Sequence, residues 1–95
     1  MRRLVTIDLT HADLSLFESY EAKVLPLVER YGGRLEMRLR AVDGASETHL
    51  LYFPDGQSYE AYRSDPDRVA ILGEWERCGA RASVIEVEVF PPGAL

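Results

Sequence analysis

The chain has 95 residues, with 11 Lys and Arg against 16 Asp and Glu for a formal net charge of -5. That length makes one domain near the lower limit for a self-sufficient core, so help from a partner subunit is expected, and the negative balance disfavours nucleic acid and acidic membranes as partners. The single cysteine, Cys78, has no internal partner for a disulfide and no apolar run is long enough to span a bilayer, which together with the charged start MRRLVTIDLT predicts a soluble cytoplasmic protein.

Residues 3–9 alternate as a first strand, Val5, Ile7 and Leu9 on one face and Leu4, Thr6 and Asp8 on the other. Thr10, with Asp13 three residues on, predicts a capping box that opens the first helix. Phe17, Tyr20, Val24, Leu27, Val28 and Tyr31 then fall at helical steps on one face, with Glu18, Glu21, Glu29 and Arg30 on the other. Pro26 lies inside this pattern and predicts a kink or restart over 22–25. Gly32-Gly33 ends the helix, and the period changes from 3.6 to 2.

The second strand, 34–42, turns Leu35, Met37, Leu39 and Ala41 towards the first helix and Arg34, Glu36, Arg38 and Arg40 away from it. Leu39→Asp is therefore expected to bury a charge and unfold the domain. Asp43-Gly44 closes a hairpin into a third strand, 47–53, whose Leu50, Leu51, Tyr52 and Phe53 are apolar or aromatic on both faces. After Pro54-Asp55-Gly56 comes a short helix over 57–63. Ser64-Asp65-Pro66-Asp67 starts another, running to about residue 78 and burying Val69, Leu72 and Trp75. Gly79 closes it. The last strand, 82–90, sets Ile85, Val87 and Val89 against Glu86 and Glu88 and stops at Pro91-Pro92.

The order βαββαβ, with right-handed crossovers, predicts a single ferredoxin-like α+β domain over 1–95: a four-stranded antiparallel sheet in the order 4-1-3-2 with its helices on one face. By alternation the other face carries Thr6, Asp8, Glu36, Arg38, Arg40, Glu86 and Glu88. A central strand apolar on both faces needs a cover on its second side, and a two-fold partner packed sheet to sheet supplies one. A homodimer is the expectation, with Asp8, Glu36, Arg38 and Tyr52 near its interface or lumen.

Tyr20 and Pro26, Tyr31-Gly32-Gly33-Arg34 at the corner, Tyr52-Phe53-Pro54 and Ser64-Asp65-Pro66 span most of the chain, and in this order the sequence resembles the dimeric α/β-barrel superfamily. Within it, the chain is most similar to a family of small bacterial proteins of unknown function. The resemblance implies two ferredoxin-like subunits packed sheet to sheet. It also implies the superfamily's range of chemistries: cofactor-free monooxygenases, haem-degrading enzymes, isomerases and polyketide cyclases.

Among chemical groups, His49 is the candidate general base, since only histidine has an unperturbed pKa near neutrality; the competing reading is a solvent-exposed histidine at a strand start. Glu36 and Arg38, with Asp8, predict a charged pocket in which Arg38 holds a carboxylate or stabilises an oxyanion, against the plainer reading of ion pairs on an interface. Tyr52 is a second candidate for moving a proton. With Tyr59, Tyr62 and Trp75 it is placed along a planar ligand, although aromatics there also serve as core.

His11 and His49 lack the spacing of a metal pair and no Asp or Glu forms a ligand pattern with them, so no metal site is expected. Gly32-Gly33 follows a helix instead of preceding one and is no phosphate loop. Cys78 has no activating surroundings and no nucleophile elbow is present. Two functions remain: a cofactor-independent enzyme of monooxygenase, isomerase or cyclase type acting on a small oxygenated or aromatic metabolite, and a non-catalytic small-molecule-binding or interaction dimer.

Overall fold

Alternation in four segments and helical spacing between them give the architecture that the order of elements predicts. The computed structural model describes residues 1–93. In chain order it contains β1 (Arg2–Asp8), α1 (Leu14–Val24), a 3-10 segment (Leu25–Tyr31), β2 (Arg34–Arg40), β3 (Ser46–Tyr52), α2 (Gly56–Arg63), α3 (Pro66–Ala70), α4 (Leu72–Cys78) and β4 (Arg81–Val87). The strands pair antiparallel in the order β2-β3-β1-β4, which is 4-1-3-2 seen from the other edge. The ferredoxin-like fold expected from the sequence is borne out.

Helix α1 begins one turn later than the Thr10 capping box predicts. Asp8 accepts a hydrogen bond from the Thr10 N–H at 2.9 Å, which holds Thr10 in a turn. Asp13 is the N-cap, accepting from the Leu16 N–H at 3.0 Å. The break expected before Pro26 is present: α1 stops at Val24 and the chain tightens into the 3-10 segment with Pro26 in its first turn. Gly32, at φ 73°, closes that segment. Gly33 then passes so close to β3 that a Cβ there would lie 2.7 Å from the Tyr52 carbonyl oxygen and 2.8 Å from Val28 Cγ1. This contact seats the helical layer on the sheet. Tyr20, Val24, Leu27, Val28, Leu51, Phe53, Tyr59 and Tyr62 form the larger core cluster beneath it, and Ile7, Leu9, Phe17, Cys78 and Ala80 a second.

One irregularity in β2 overturns the predicted faces. Leu35 pairs with Leu51, but Met37 pairs with Leu50, so Glu36 and Met37 together oppose a single residue in a β-bulge. An inserted residue shifts the alternation by one and sends every later side chain to the opposite face. Leu35 therefore faces the helices, whereas Met37 and Leu39 face away from them, 50% and 54% exposed. Arg38 and Arg40, predicted on the open face, lie on the helix face opposite His49 and Glu47.

Strand β4 is inverted too. Ile85 and Val87 stand opposite Leu4 and Arg2 on the open face, and Glu86 opposite Arg3 on the helix face. The strand ends at Val87, which is opposite Arg2 at the start of β1, so the ladder has no partner for Glu88, Val89 or Phe90. The long third helix is two pieces with a break at Ile71, and Val69 and Leu72 are exposed instead of buried.

Two expectations follow for β2. Leu39→Asp leaves a cooperatively melting domain in thermal unfolding, because its side chain stands outside the core. Deleting Glu36 turns the bulge into a regular ladder without moving Arg38 or Arg40 to the other face, at a cost within about 1–3 kcal/mol. Loss of the cooperative transition in the deletion variant would contradict the bulge.

Candidate active site

The bulge brings Arg38 and Arg40 over the helix face of β3, where Glu47, His49 and Leu51 are buried. The Glu47 carboxylate is 2% exposed and fully engaged. Arg40 donates to Oε1 from Nε at 3.1 Å and from Nη2 at 2.9 Å, and Arg38 Nε donates to Oε2 at 3.2 Å. The His49 ring nitrogen Nε2 lies 2.7 Å from the same Oε2. Burial works against the Glu47 charge, but hydrogen bonds from His49, Arg38 and Arg40 outweigh it and hold the carboxyl below its usual range. An ionised carboxylate only accepts, which assigns the proton of neutral His49 to Nε2 and leaves a lone pair on Nδ1.

Nδ1 faces Glu21 of α1, whose Oε2 lies 3.9 Å away. Glu21 is 4% exposed, and its Oε2 is buried without a hydrogen-bond partner. Burial, reinforced by the Glu47 charge and only partly offset by Arg38, pushes the Glu21 carboxyl up to about 7. His49 moves the other way. Burial disfavours its imidazolium and lowers its pKa, although Glu47 pulls upward. Both groups thus lean towards neutrality beside an ionised Glu47.

Glu21 and His49 open onto a cavity of about 200 Å³ between the sheet and the helices. Val5, Ile7, Val24 and Leu51 give it apolar walls, and Tyr20, Tyr59, Tyr62 and Trp75 line it with rings. Tyr20 and Trp75 lie 5.3 Å apart between centroids. Burial pushes the Tyr20 hydroxyl up to about 12 and raises that of Tyr62, so both stay protonated. Arg68 of α3 also lines the cavity; its Nε is buried without a partner, and its guanidinium lies 5.1 Å from the Tyr62 ring centroid. Leu72, with Ala82 and Val84 of β4, forms the more exposed wall.

Of the residues the sequence singles out, His49 and Trp75 line this cavity. His49 is buried, which removes the reading of an exposed strand-start histidine. Arg38 does not line the cavity and is linked to it through Glu47 and then His49. Tyr52 is on the open face, between the guanidinium groups of Arg2 and Arg34 at 5.3 Å and 4.2 Å from its ring centroid. Glu36 is on that face too, paired with Arg2 and Arg34 and not with Arg38. Asp8 lies at the opposite end of the β1–β3 ladder from Tyr52. The expected grouping of Asp8, Glu36 and Arg38 is therefore not assembled: the bulge separates the last two.

Glu21, Glu47 and Arg68 are the residues that the sequence reading missed. Glu21 had a signal, being four residues after Phe17 and three before Val24 on the buried side of α1. No ligand pattern of acids with His49 is visible in the sequence, yet the fold gathers two acids around it. Glu21, Glu47 and His49 place possible ligand atoms within 4.8 Å of one another. Both oxygens of Glu47 are already taken by Arg38, Arg40 and His49, which favours a hydrogen-bonded cluster over a cation site.

Solved structures of the same shape cover almost the whole chain. SnoaB, a cofactor-independent oxygenase from Streptomyces nogalater, aligns over 97% of both chains with a TM-score of 0.73 at 16% identity. A candidate antibiotic biosynthesis monooxygenase from Bacteroides thetaiotaomicron aligns over 100% of this chain and 93% of its own, with a TM-score of 0.68 at 19% identity. An uncharacterised NIPSNAP domain protein from Burkholderia xenovorans covers 98% of this chain and 100% of its own, with a TM-score of 0.61 at 16% identity. The fold they share with this chain is the ferredoxin-like one. No family model matches the sequence, and no curated protein does. At these identities the likeness extends to the fold alone, so the chemistry of this chain has to be argued from its own residues.

The elevated Glu21 carboxyl has a stability consequence. Between about pH 4.5 and 7 the folded state keeps a proton that the unfolded state has lost, so wild-type stability falls as pH rises through that window. Glu21→Gln removes the penalty. Thermal unfolding should show the variant matching wild type at pH 4.5 and exceeding it at pH 8 by up to about 3 kcal/mol. Equal stabilities at pH 8 would contradict a buried, unpaired carboxylate.

Proposed function

We propose that this protein is a cofactor-independent enzyme acting on a small oxygenated or aromatic metabolite, with His49 Nδ1 as the general base. One observation carries the reading. A buried imidazole, held by the ionised Glu47 through Nε2, turns its free nitrogen towards Glu21 beside an aromatic-lined cavity. Glu47 fixes the tautomer and balances the imidazolium that forms when His49 takes a proton. Arg38 and Arg40 position Glu47. Arg68 takes the oxyanion-binding part that the sequence reading gave to Arg38, since its side chain lines the cavity and its Nε has no partner. SnoaB, of the same fold, works without a cofactor, which supports the class of reading without specifying the reaction.

The assembly belongs to the same proposal. The open face carries Leu4, Met37, Leu39, Leu50, Ile85 and Val87, more apolar than the sequence reading predicted because the bulge and the inverted β4 bring four of them there. A second copy of the chain offers the same surface, and packing two such faces completes the cover that β3 requires. We place the homodimer in a reducing cytoplasm, in keeping with the free buried Cys78. Among the described residues no helix is long and apolar enough to cross a membrane.

Incubation with phenylpyruvate, acetylacetone and catechol in deuterated buffer, without added cofactor and followed by NMR, tests the activity. Wild type should accelerate proton exchange or turnover of at least one, and His49→Ala should lower kcat by about 10²–10⁴-fold. Binding without exchange would favour the non-catalytic module. In sedimentation equilibrium, wild type should run at twice 10.7 kDa and Leu39→Asp at 10.7 kDa while still folded; a monomeric wild type would remove the dimer.

A further inference from the structure

The orphaned oxygen of Glu21 is the feature that a single general base leaves unused. A buried acceptor without a partner is costly, and this one persists in a residue that lines the cavity, 3.9 Å from the nitrogen that His49 keeps free. We propose that Glu21 is the second proton-transfer group of this site, and that with His49 it catalyses keto–enol tautomerisation of a monocyclic carbonyl compound. The inference rests on the reading of His49 as a base and adds to it a partner, a reaction type and a substrate size.

The proton inventory closes within the pair. His49 Nδ1 takes the proton from the carbon next to the carbonyl; the C–H electron pair becomes the C=C bond, and the carbonyl π pair moves onto oxygen. The neutral Glu21 carboxyl gives its proton to that oxygen, so the enol leaves with every atom it brought. An imidazolium then faces a carboxylate, and Nδ1–H returns its proton to Glu21 Oε2 once their mutual attraction draws the two side chains from 3.9 Å to hydrogen-bond distance. The site is reset without solvent. No oxidant, reductant or metal enters the balance. Ketonisation of an enol runs through the same steps in reverse.

The surroundings suit this division of labour. Glu21 is faced by Glu47 and His49 of β3 and influenced by Arg38 of β2, and it acts in turn on Tyr20 of its own helix and Tyr62 of α2. Arg68 of α3 lines the same cavity. Glu47 favours the neutral Glu21 that the first half-reaction needs, and Arg68 supplies positive charge for the enolate oxygen. Volume sets the size of the substrate. A cavity of about 150 Å³ admits benzene, so about 200 Å³ has room for one substituted ring.

Tautomerisation of phenylpyruvate, followed by ultraviolet absorption with the whole protein and no additive across pH 5–9, tests the proposal. Wild type should accelerate it, with a rate that falls above about pH 7 as Glu21 ionises and falls at low pH as His49 protonates. Glu21→Gln should be slower by about 10-fold or more and lose the upper pH limb, and Glu21→Asp should recover part of the rate. Circular dichroism checks that each variant is folded. A Glu21→Gln profile that overlays wild type while His49→Ala is inactive overturns the role of Glu21 and leaves His49 standing. No acceleration of phenylpyruvate by wild type overturns the tautomerisation and leaves His49 to the exchange assay with acetylacetone and catechol; a His49→Ala variant as active as wild type overturns both.

Discussion

The buried carboxylate of Glu47 sets the terms for the rest of this structure. An ionised group inside a sheet is tolerated only when its lone pairs are taken, and here three side chains take them: Arg38, Arg40 and His49. Two of those come from the neighbouring strand, and they face the right way only because the bulge at Glu36 shifts the alternation of β2 by one residue. A regular β2 would have turned both arginines to the open face and left Glu47 uncompensated. The bulge is thus a condition of the ion cluster, and the ion cluster is a condition of the histidine's orientation.

From that cluster outward, charge and burial divide the work between two carboxylates on the same imidazole. Glu47, with hydrogen bonds from two guanidinium groups, stays ionised; Glu21, with no partner at Oε2, is pushed towards the neutral acid. Two like groups in contact with one ring therefore acquire different roles from their environments alone. The cavity owes its place to the same geometry. The 3-10 segment after α1 and the close approach of Gly33 to β3 seat the helical layer, while the large rings of Tyr20, Tyr62 and Trp75 hold a gap above β1 and β3.

Element order, strand order and the two-sided apolar character of β3 were legible in the sequence, because they rest on period changes and on turn residues such as Gly32-Gly33 and Asp43-Gly44. The facing of β2 and β4 was not. A bulge leaves no mark in the alternation of Leu35, Met37 and Leu39, which looks regular whether or not one residue is extra. In β4 the pairing with β1, not the charge pattern, decides that Glu86 lies on the helix face beside Arg3. His49 and Trp75 were recognisable as chemistry-bearing residues, but their company was not. Glu21 reads as one more acid on an amphipathic helix until the sheet beneath it is known to carry Glu47 and His49 at that depth.

The whole account depends on which nitrogen of His49 carries the proton, and nitrogen-15 chemical shifts of the imidazole in wild-type protein at pH 7 measure that directly. The account predicts a neutral ring protonated at Nε2, with Nδ1 free, because Glu47 is an obligate acceptor at 2.7 Å from Nε2. A ring protonated at Nδ1, or an imidazolium at that pH, would contradict it.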